Sequence, residues 1–352
     1  MEKVKNFYKN KKILITGHTG FKGIWLTKIL SIFGARIIGV SLNDKNKKFF
    51  NDYANNESIK SYFGNIENFQ FLKKIINKNK PQIIFHLAAQ SLVIDGYKDP
   101  LRTFRTNFLG TLNVLDIAMK NSTVKSVIIV TSDKCYKNHN KFKFYKETDV
   151  LGGIDPYSSS KAAAEIVSES YLKSFYLKSK IGLATVRAGN VIGGGDWSKN
   201  RIIPDCIKSI FKNTKLILRN PNYIRPWQHV LDPINGYLLL AMKIFFNPKK
   251  FSGPWNFGPS YREARSVRSV VNLIFKKRKR KEKFSIIKIK RKEYESSSIR
   301  LNSFKSRKNL GWKPKYNFED SVNLTYVWYN QYFKYKKLFF SQQIKDFYKI
   351  NN

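Results

Sequence analysis

Residues 13–23 read ILITGHTGFKG. An apolar, β-branched run ends in a turn with glycines at 17, 20 and 23, and helical apolar spacing begins at 21. The spacing is G-x-x-G-x-x-G, directly after a strand and at the start of a helix. In that setting Gly17 permits the tight turn and Gly20 lets backbone approach a pyrophosphate. Gly23 packs the helix on its strand, which aims first-turn N–H groups at the phosphates. Dinucleotide binding is the chemistry this arrangement serves.

One strand, turn and helix do not make a fold, so the pattern has to recur. Apolar runs at 11–17, 36–42, 59–65, 82–88, 126–132 and 181–187 read as strands, separated by helical stretches at 21–33, 67–79, 101–121 and 158–178. Strands apolar on both faces, alternating with helices, imply a parallel sheet covered on both sides, and right-handed crossovers make it doubly wound. The predicted class is α/β: a Rossmann-like doubly wound parallel sheet with a smaller, interleaved C-terminal substrate lobe. The first unit spans 1–188, with returns expected near 233–258 through a helix at 233–247 and the strand-like PWNFG at 254–258. The second unit spans 189–330, rich in Gly, Pro and Trp at its start, and no internal repeat is evident. A C-terminal tail (331–352) reads as a terminal helix with no assignable function.

The chain has 352 residues, 42% of them hydrophobic and 15% aromatic, which suits a globular protein with a large core. Two cysteines, Cys135 and Cys206, allow neither a disulfide framework nor a zinc cluster, so a reducing cytoplasmic setting and no metal are expected. The first residues show no apolar stretch suited to a secretory signal, and no segment approaches the ~20 apolar residues of a membrane span. Net charge is +42. Nucleic-acid proteins cluster their lysines and arginines, whereas here the excess is spread along a chain also rich in Asn, Ile, Phe and Tyr. A compositionally drifted, solvated surface accounts for that spread and argues against nucleic acid as a partner. The basic run at 276–292 is the one local cluster that could hold an acidic partner weakly.

DPYSSSKAAAE (155–165) gives Tyr157 and Lys161 a Y-x-x-x-K spacing. Four residues apart on a helix share a face, so an ammonium below the phenol would favour phenolate and lower its pKa from ~10. Such a tyrosine can take a proton from a sugar hydroxyl while hydride leaves for a nicotinamide. TSDKCY (131–136) follows a buried-looking strand and sets Ser132, Asp133 and Lys134 where open parallel sheets place ligands. Two readings stay open for Asp133 and Lys134: working groups, or a simple ion pair in which both are charged.

The stretches TGHTGFKG, FHLAAQSLV, TSDKCY, DPYSSSKAAAE, RAGNVIGGGDW, IPD, RNPNYIRPWQHVLDP and WNFGP, in this order from about residue 7 to 330, resemble the extended short-chain dehydrogenase/reductases. These are enzymes that bind NAD and act on nucleotide sugars. Within that family the motifs are similar to those of the dehydratases acting on CDP-glucose. The resemblance implies oxidation at carbon 4 with Tyr157 as base and Ser132 on the same oxygen. Water is then eliminated across carbons 5 and 6, and hydride returns to carbon 6. Related dTDP-glucose dehydratases carry Asp-Glu where this chain has Asp133 and Lys134. That correspondence makes Asp133 the acid for water loss and Lys134 the carbon-5 base, roles that need a protonated aspartate and a neutral lysine.

The resemblance further implies NAD at Gly17, Thr19, Gly20, Phe21, Gly23, Asn65, Ile66, Leu87, Ala88, Ala89, Tyr157 and Lys161. The nucleotide sugar falls to Asn107, at a helix bulge, and to Asn190, Arg201, Arg219 and Arg225, arginine forks suiting diphosphate oxygens. NAD is favoured over NADP because no arginine pair follows the second strand, which ends in Ser41, Leu42 and Asn43 with Asp44 beyond. Asn65 stands where the family often has an aspartate facing adenine, so that contact is expected to be weakened or rearranged. The serines of EYESSSIRLNSFKSRKNLGW (293–312) replace larger family residues beside the nucleotide, which leaves base recognition open. His86 and His229 read as packed, not catalytic, and Trp197 and Trp227 as core or sugar-site border. The family pairs as homodimers, here through the helices at 101–121 and 158–178. A nucleotide-sugar 4-epimerase, a dehydratase for another nucleotide and, outside the class, a polyanion-binding protein on a Rossmann scaffold are the alternatives. The epimerase would leave Asp133 and Lys134 without a task.

Overall fold

The computed structural model describes residues 2–53, 58–138, 143–198, 200–278, 284–286, 299–335 and 339–350. All six runs predicted as strands are strands: β1 Lys12–Thr16, β2 Arg36–Ser41, β3 Ile59–Phe63, β4 Ile83–His86, β5 Ser126–Val130 and β6 Gly182–Arg187. A seventh, β7 Gly253–Asn256, joins the edge beside β6. The sheet order is β7-β6-β5-β4-β1-β2-β3, with every pairing parallel. The order reverses between β1 and β4, and ligands of such sheets bind outside the carboxyl ends of the strands at that point.

Alternate residues of each strand enter different cores, which explains the continuous apolar runs. Ile13, Ile15, Ile83, Phe85, Ile128 and Val186 face one side, with Trp25, Leu26 and Ile29 of helix α1 (Phe21–Ile32). Leu14, Ile38, Val40, Ile84, Val127, Ile129 and Leu183 face the other, with Leu72, Ile75 and Ile76 of α2 (Phe69–Asn79). Ile84 is fully buried, so truncating it to alanine would cost about 2–5 kcal/mol.

The predicted helix at 101–121 is interrupted. It runs as α3 (Pro100–Phe104), a π turn at Arg105–Leu109 and α4 (Gly110–Met119). Asn107 accounts for the bulge, because its side chain grips a neighbouring loop. Its Oδ1 accepts from the Gln90 amide at 2.8 Å, and its Nδ2 donates to the Gln90 carbonyl at 3.0 Å and to Ser160 Oγ at 2.8 Å. The next long helix, α5 (Pro156–Ser174), starts sharply with Pro156 at its first position and a reciprocal capping box between Asp155 and Ser158.

Beyond β6 the chain builds the rim above the strand ends, except where it returns to the sheet. Helices α6 (Ile202–Lys212), α7 (Leu231–Phe246), α8 (Val267–Lys277) and α9 (Phe318–Tyr335) alternate with short two-stranded ladders. Of these, α7 packs on the sheet face against β5 and β6, and the strand that follows it, β7, joins the sheet edge. The last helix, α10 (Phe340–Tyr348), returns to the first unit: Phe340 meets the Trp25 ring edge-on at 4.8 Å and Tyr348 meets Phe33 at 4.9 Å. Trp197 sits among Phe49, Trp328, Tyr329, Tyr332 and Phe333, which settles it as a packing residue. Most of the basic run at 276–292, and the serines at 296–298, lie outside the described residues.

Candidate active site

The glycine turn closes as its spacing predicts. Gly17 has φ 75°, and a Cβ there would stand 2.7 Å from the Ala88 amide; one on Gly23 would stand 2.0 Å from the Gly17 carbonyl. Gly20 caps α1 and offers no side-chain acceptor to the first-turn amides. A bare turn under a helix N-terminus fits the pyrophosphate of a dinucleotide.

Beside the turn opens a cavity of about 760 Å³. Phe21, Leu87, Ala89, Ser132, Asp133, Lys134, Tyr157 and Lys161 all line it, together with Asn190, Arg201, Arg219, Arg225 and Trp227. Residues from β4, β5, α5 and the rim thus converge on one space. Thr19 and Ile66 are buried but do not line it, and the Ala88 amide donates to Thr16 Oγ1 at 3.3 Å. Asn65 turns its Oδ1 to the Glu67 amide at 3.0 Å, so its own loop holds the acceptor expected for adenine. Asp44 is likewise engaged locally, accepting from the Asn46 amide at 2.9 Å. Asn107 does not line the cavity but braces the Gln90 loop behind it.

Asp133 and Lys134 form no ion pair with each other. The two occupy a 3-10 turn, Asp133–Cys135, entered through Ser132. Ser132 Oγ accepts from the Lys134 amide at 3.2 Å and donates to Asp133 Oδ1 at 3.0 Å. Asp133 is buried against Gly189, where a Cβ would collide with its Oδ2 at 1.8 Å. Only glycine at 189 leaves room for that carboxyl.

Burial is the largest influence on both Tyr157 and Lys161. Burial pushes the phenol up to about 12, against the downward pull of its hydrogen bond with Ser132. Lys161 Nζ donates to the Val130 carbonyl at 3.2 Å, and burial plus the nearby Lys22 charge lower it to about 7. Helical spacing shows which residues share a face and not how much water reaches them.

Lys22, which no spacing argument singled out, is therefore part of the site. It lines the cavity, and burial, then Arg201, lower it to about 8 against the favourable charge of Asp133. Its only sequence signal is a lysine placed between Phe21 and Gly23 inside the glycine turn. His18, also in the turn, is buried between Ser41 Oγ (2.9 Å) and Ser61 Oγ (3.0 Å), and burial lowers it to about 4.

The rim supplies cations already held in place. Arg201 pairs with Asp196 at 3.0 Å, Arg219 donates to Asn200 Oδ1 at 2.7 Å, and Arg225 lies 5.1 Å from the centre of the Tyr223 ring. Asn190 takes the left-handed conformation, φ 49°. His86 is clasped by Thr16 and Thr111 and His229 is packed edge-on to Trp25 and Tyr316; burial lowers both to about 3. Both lie outside the cavity lining.

Comparison with known proteins agrees with this geometry. The profile of the GDP-mannose 4,6 dehydratase family matches residues 14–325. The chain is 38% identical to the CDP-glucose 4,6-dehydratase of Salmonella typhimurium over 94% of its length and 93% of that protein. It is 26% identical to the human dTDP-D-glucose 4,6-dehydratase, covering 92% and 90% of the two chains. Among solved structures, a Thermotoga maritima UDP-glucose 4-epimerase with UDP-glucose superposes with TM-score 0.81 at 22% identity, over 92% of this chain and all of that one. A Bacillus anthracis dTDP-glucose 4,6-dehydratase in complex with NAD superposes with TM-score 0.77 at 22% identity, over 92% and 98%. These two structures bear on the fold.

Proposed function

The chain belongs to the GDP-mannose 4,6 dehydratase family, within the extended short-chain dehydrogenase/reductases, and from that premise we propose that it is a hydro-lyase converting CDP-glucose to CDP-4-keto-6-deoxyglucose. The observation that supports this reading is the convergence of Ser132, Asp133, Lys134, Tyr157 and Lys161 on one cavity with Arg201, Arg219 and Arg225. The glycine turn, Thr19, Phe21 and the Leu87–Ala89 segment would hold NAD. Bound there, NAD supplies the hydride acceptor for carbon 4 and the hydride donor for carbon 6.

The chain's own residues move the protons. Tyr157 takes the proton of the 4-hydroxyl, with Ser132 hydrogen-bonded to the same oxygen. The resulting ketone acidifies the proton on carbon 5, which Lys134 removes. Asp133 gives its proton to the departing 6-hydroxyl, so water leaves, and Lys134, its proton exchanged with solvent, protonates carbon 5 as hydride reaches carbon 6. Arg201, Arg219 and Arg225 hold the diphosphate, each as a planar donor fork. An epimerase needs only the first of these steps, and the acid–base turn is what favours dehydration.

We place the NAD-binding unit at 1–188 with the returning segment near 233–258, and the sugar-nucleotide unit at 189–330. The enzyme acts in the cytoplasm as a homodimer. Leu101, Phe104 and Phe108 on one helical stretch, and Ile166, Phe175 and Leu177 on or just after α5, are exposed apolar side chains suited to that pairing. Among the described residues no helix is long and apolar enough to cross a membrane. Incubation with CDP-, dTDP-, UDP- and GDP-glucose and NAD tests the reading through the alkaline chromophore of the 4-keto sugar. CDP-glucose should give the product, and its failure to do so would overturn the assignment.

A further inference from the structure

Behind the catalytic turn lies a buried ion pair that the mechanism does not use. Arg187 Nη2, on β6, meets Glu165 Oε2, on α5, at 2.7 Å, and both side chains are almost completely shielded from water. Two buried charges gain most when their remaining donors and acceptors are also satisfied, and here the added partners follow a pattern. Glu165 Oε1 accepts from Thr131 Oγ1, the residue immediately before Ser132. Arg187 Nη1 donates to Tyr136 Oη at 2.7 Å, and that hydroxyl donates on to Asn256 Oδ1 at 2.8 Å. Arg187 also reaches the Glu147 carbonyl at 3.2 Å.

Thr131 and Tyr136 bracket the segment carrying Ser132, Asp133 and Lys134. We propose that the Glu165–Arg187 ion pair is a two-ended clamp on this turn, Glu165 holding its entry through Thr131 and Arg187 its exit through Tyr136. Both are positioning residues: neither lines the cavity. Because the two tethers end on one ion pair spanning α5 and β6, the turn is fixed relative to the helix that bears Tyr157 and Lys161. Backbone bonds add to this at Thr131 (amide to Val186 carbonyl, 3.0 Å) and at Tyr136, which bridges Leu151. They locate the chain, whereas the side-chain tethers hold one end to α5 and the other to β6, the two joined through the ion pair. Chemistry that must deliver one proton and remove another at adjacent carbons is sensitive to such registry, since small misplacements are costly in rate.

The inference rests on the reading that Asp133 and Lys134 carry out the elimination, and its test separates the two. Thr131→Val and Tyr136→Phe each cut one tether and leave the ion pair in place. Thr185→Val is the control, for Thr185 Oγ1 donates to Glu165 Oε2 at 2.6 Å without touching the turn. Thr131→Val and Tyr136→Phe should each slow dehydration by about tenfold or more with KM unchanged within about twofold, while Thr185→Val stays within about twofold of wild type. Without substrate, the amides of 132–135 should exchange with deuterium faster in the two tether variants and unchanged in the control. Turnover within about twofold in both tether variants, an equal loss in Thr185→Val, or unaltered exchange would overturn the clamp. Exchange that follows the expected pattern across the variants, when wild type dehydrates no nucleotide sugar, would sustain the clamp and reject the functional reading.

Discussion

Two charged regions flank the Ser132–Asp133–Lys134 turn, and they are built in opposite ways. Behind it, Glu165 and Arg187 neutralise each other: against the cost of burial, each partner holds the other in its charged form. In front of it, half-buried Lys22 and buried Lys161 have like charges as neighbours and are pushed towards neutrality. The back is arranged for fixed geometry. The front sets readily deprotonated amines beside a cavity, where an anionic ligand or a proton transfer can make use of them.

Breaking the back pair should have the largest effect. Glu165→Gln leaves Arg187 buried without its counter-charge and should cost about 3–5 kcal/mol in denaturant unfolding. An effect below about 1 kcal/mol would place the pair among weak surface-like bridges and erase the contrast. Next comes the turn between the two regions. Lys134→Ala should spare hydride transfer to NAD but reduce exchange of the carbon-5 proton with solvent by about 100-fold or more; unimpaired exchange would move the base to another residue.

The front should respond with the opposite sign. Lys22→Met removes a half-buried cation that Asp133 favours without forming an ion pair, so ligand-free stability should stay level or rise by up to about 1 kcal/mol. A loss as large as that of Glu165→Gln would mean that Lys22 is a structural group too. The smallest effect is the pH slope. Folded-state values of about 8 for Lys22 and 7 for Lys161 lie below the usual lysine value of 10.5, so the unfolded chain binds more protons between these values. Their contribution is present at high pH and lost as pH falls through 8 and then 7. Ligand-free stability should therefore rise with pH across that window by up to about 1 kcal/mol per unit for each group, and Lys22→Met should flatten the slope. An unchanged slope in that variant would remove Lys22 as a source of the effect.

The sheet was legible because β-branched, doubly apolar runs announce buried parallel strands, and the glycine turn because its spacing has one economical use. Tyr157 and Lys161 could be paired from helical spacing alone. Lys22 could not, since a lysine in a first helical turn ordinarily points to water, and only the three-dimensional fold turns it into the cavity. Glu165 and Arg187 stand 22 residues apart on different elements, with no local signal joining them. The π turn at Asn107 entered only through family resemblance: its cause is a loop 17 residues earlier that the side chain grips. The burial of Tyr157 and Lys161 could not be read from their spacing, because a shared face says nothing about solvent access. Trp227 was undecidable from sequence, and is placed at the cavity by the bond from its indole to the Arg265 carbonyl at 3.0 Å.

The most direct test runs the reaction with CDP-glucose and NAD in deuterium oxide and weighs the product by mass spectrometry. Dehydration through the Asp133–Lys134 turn predicts loss of one water and gain of one solvent deuterium at carbon 5 of a 4-keto-6-deoxy sugar. A product isomeric with the substrate, with no water lost and no deuterium on carbon 5, would show an epimerase and contradict the account.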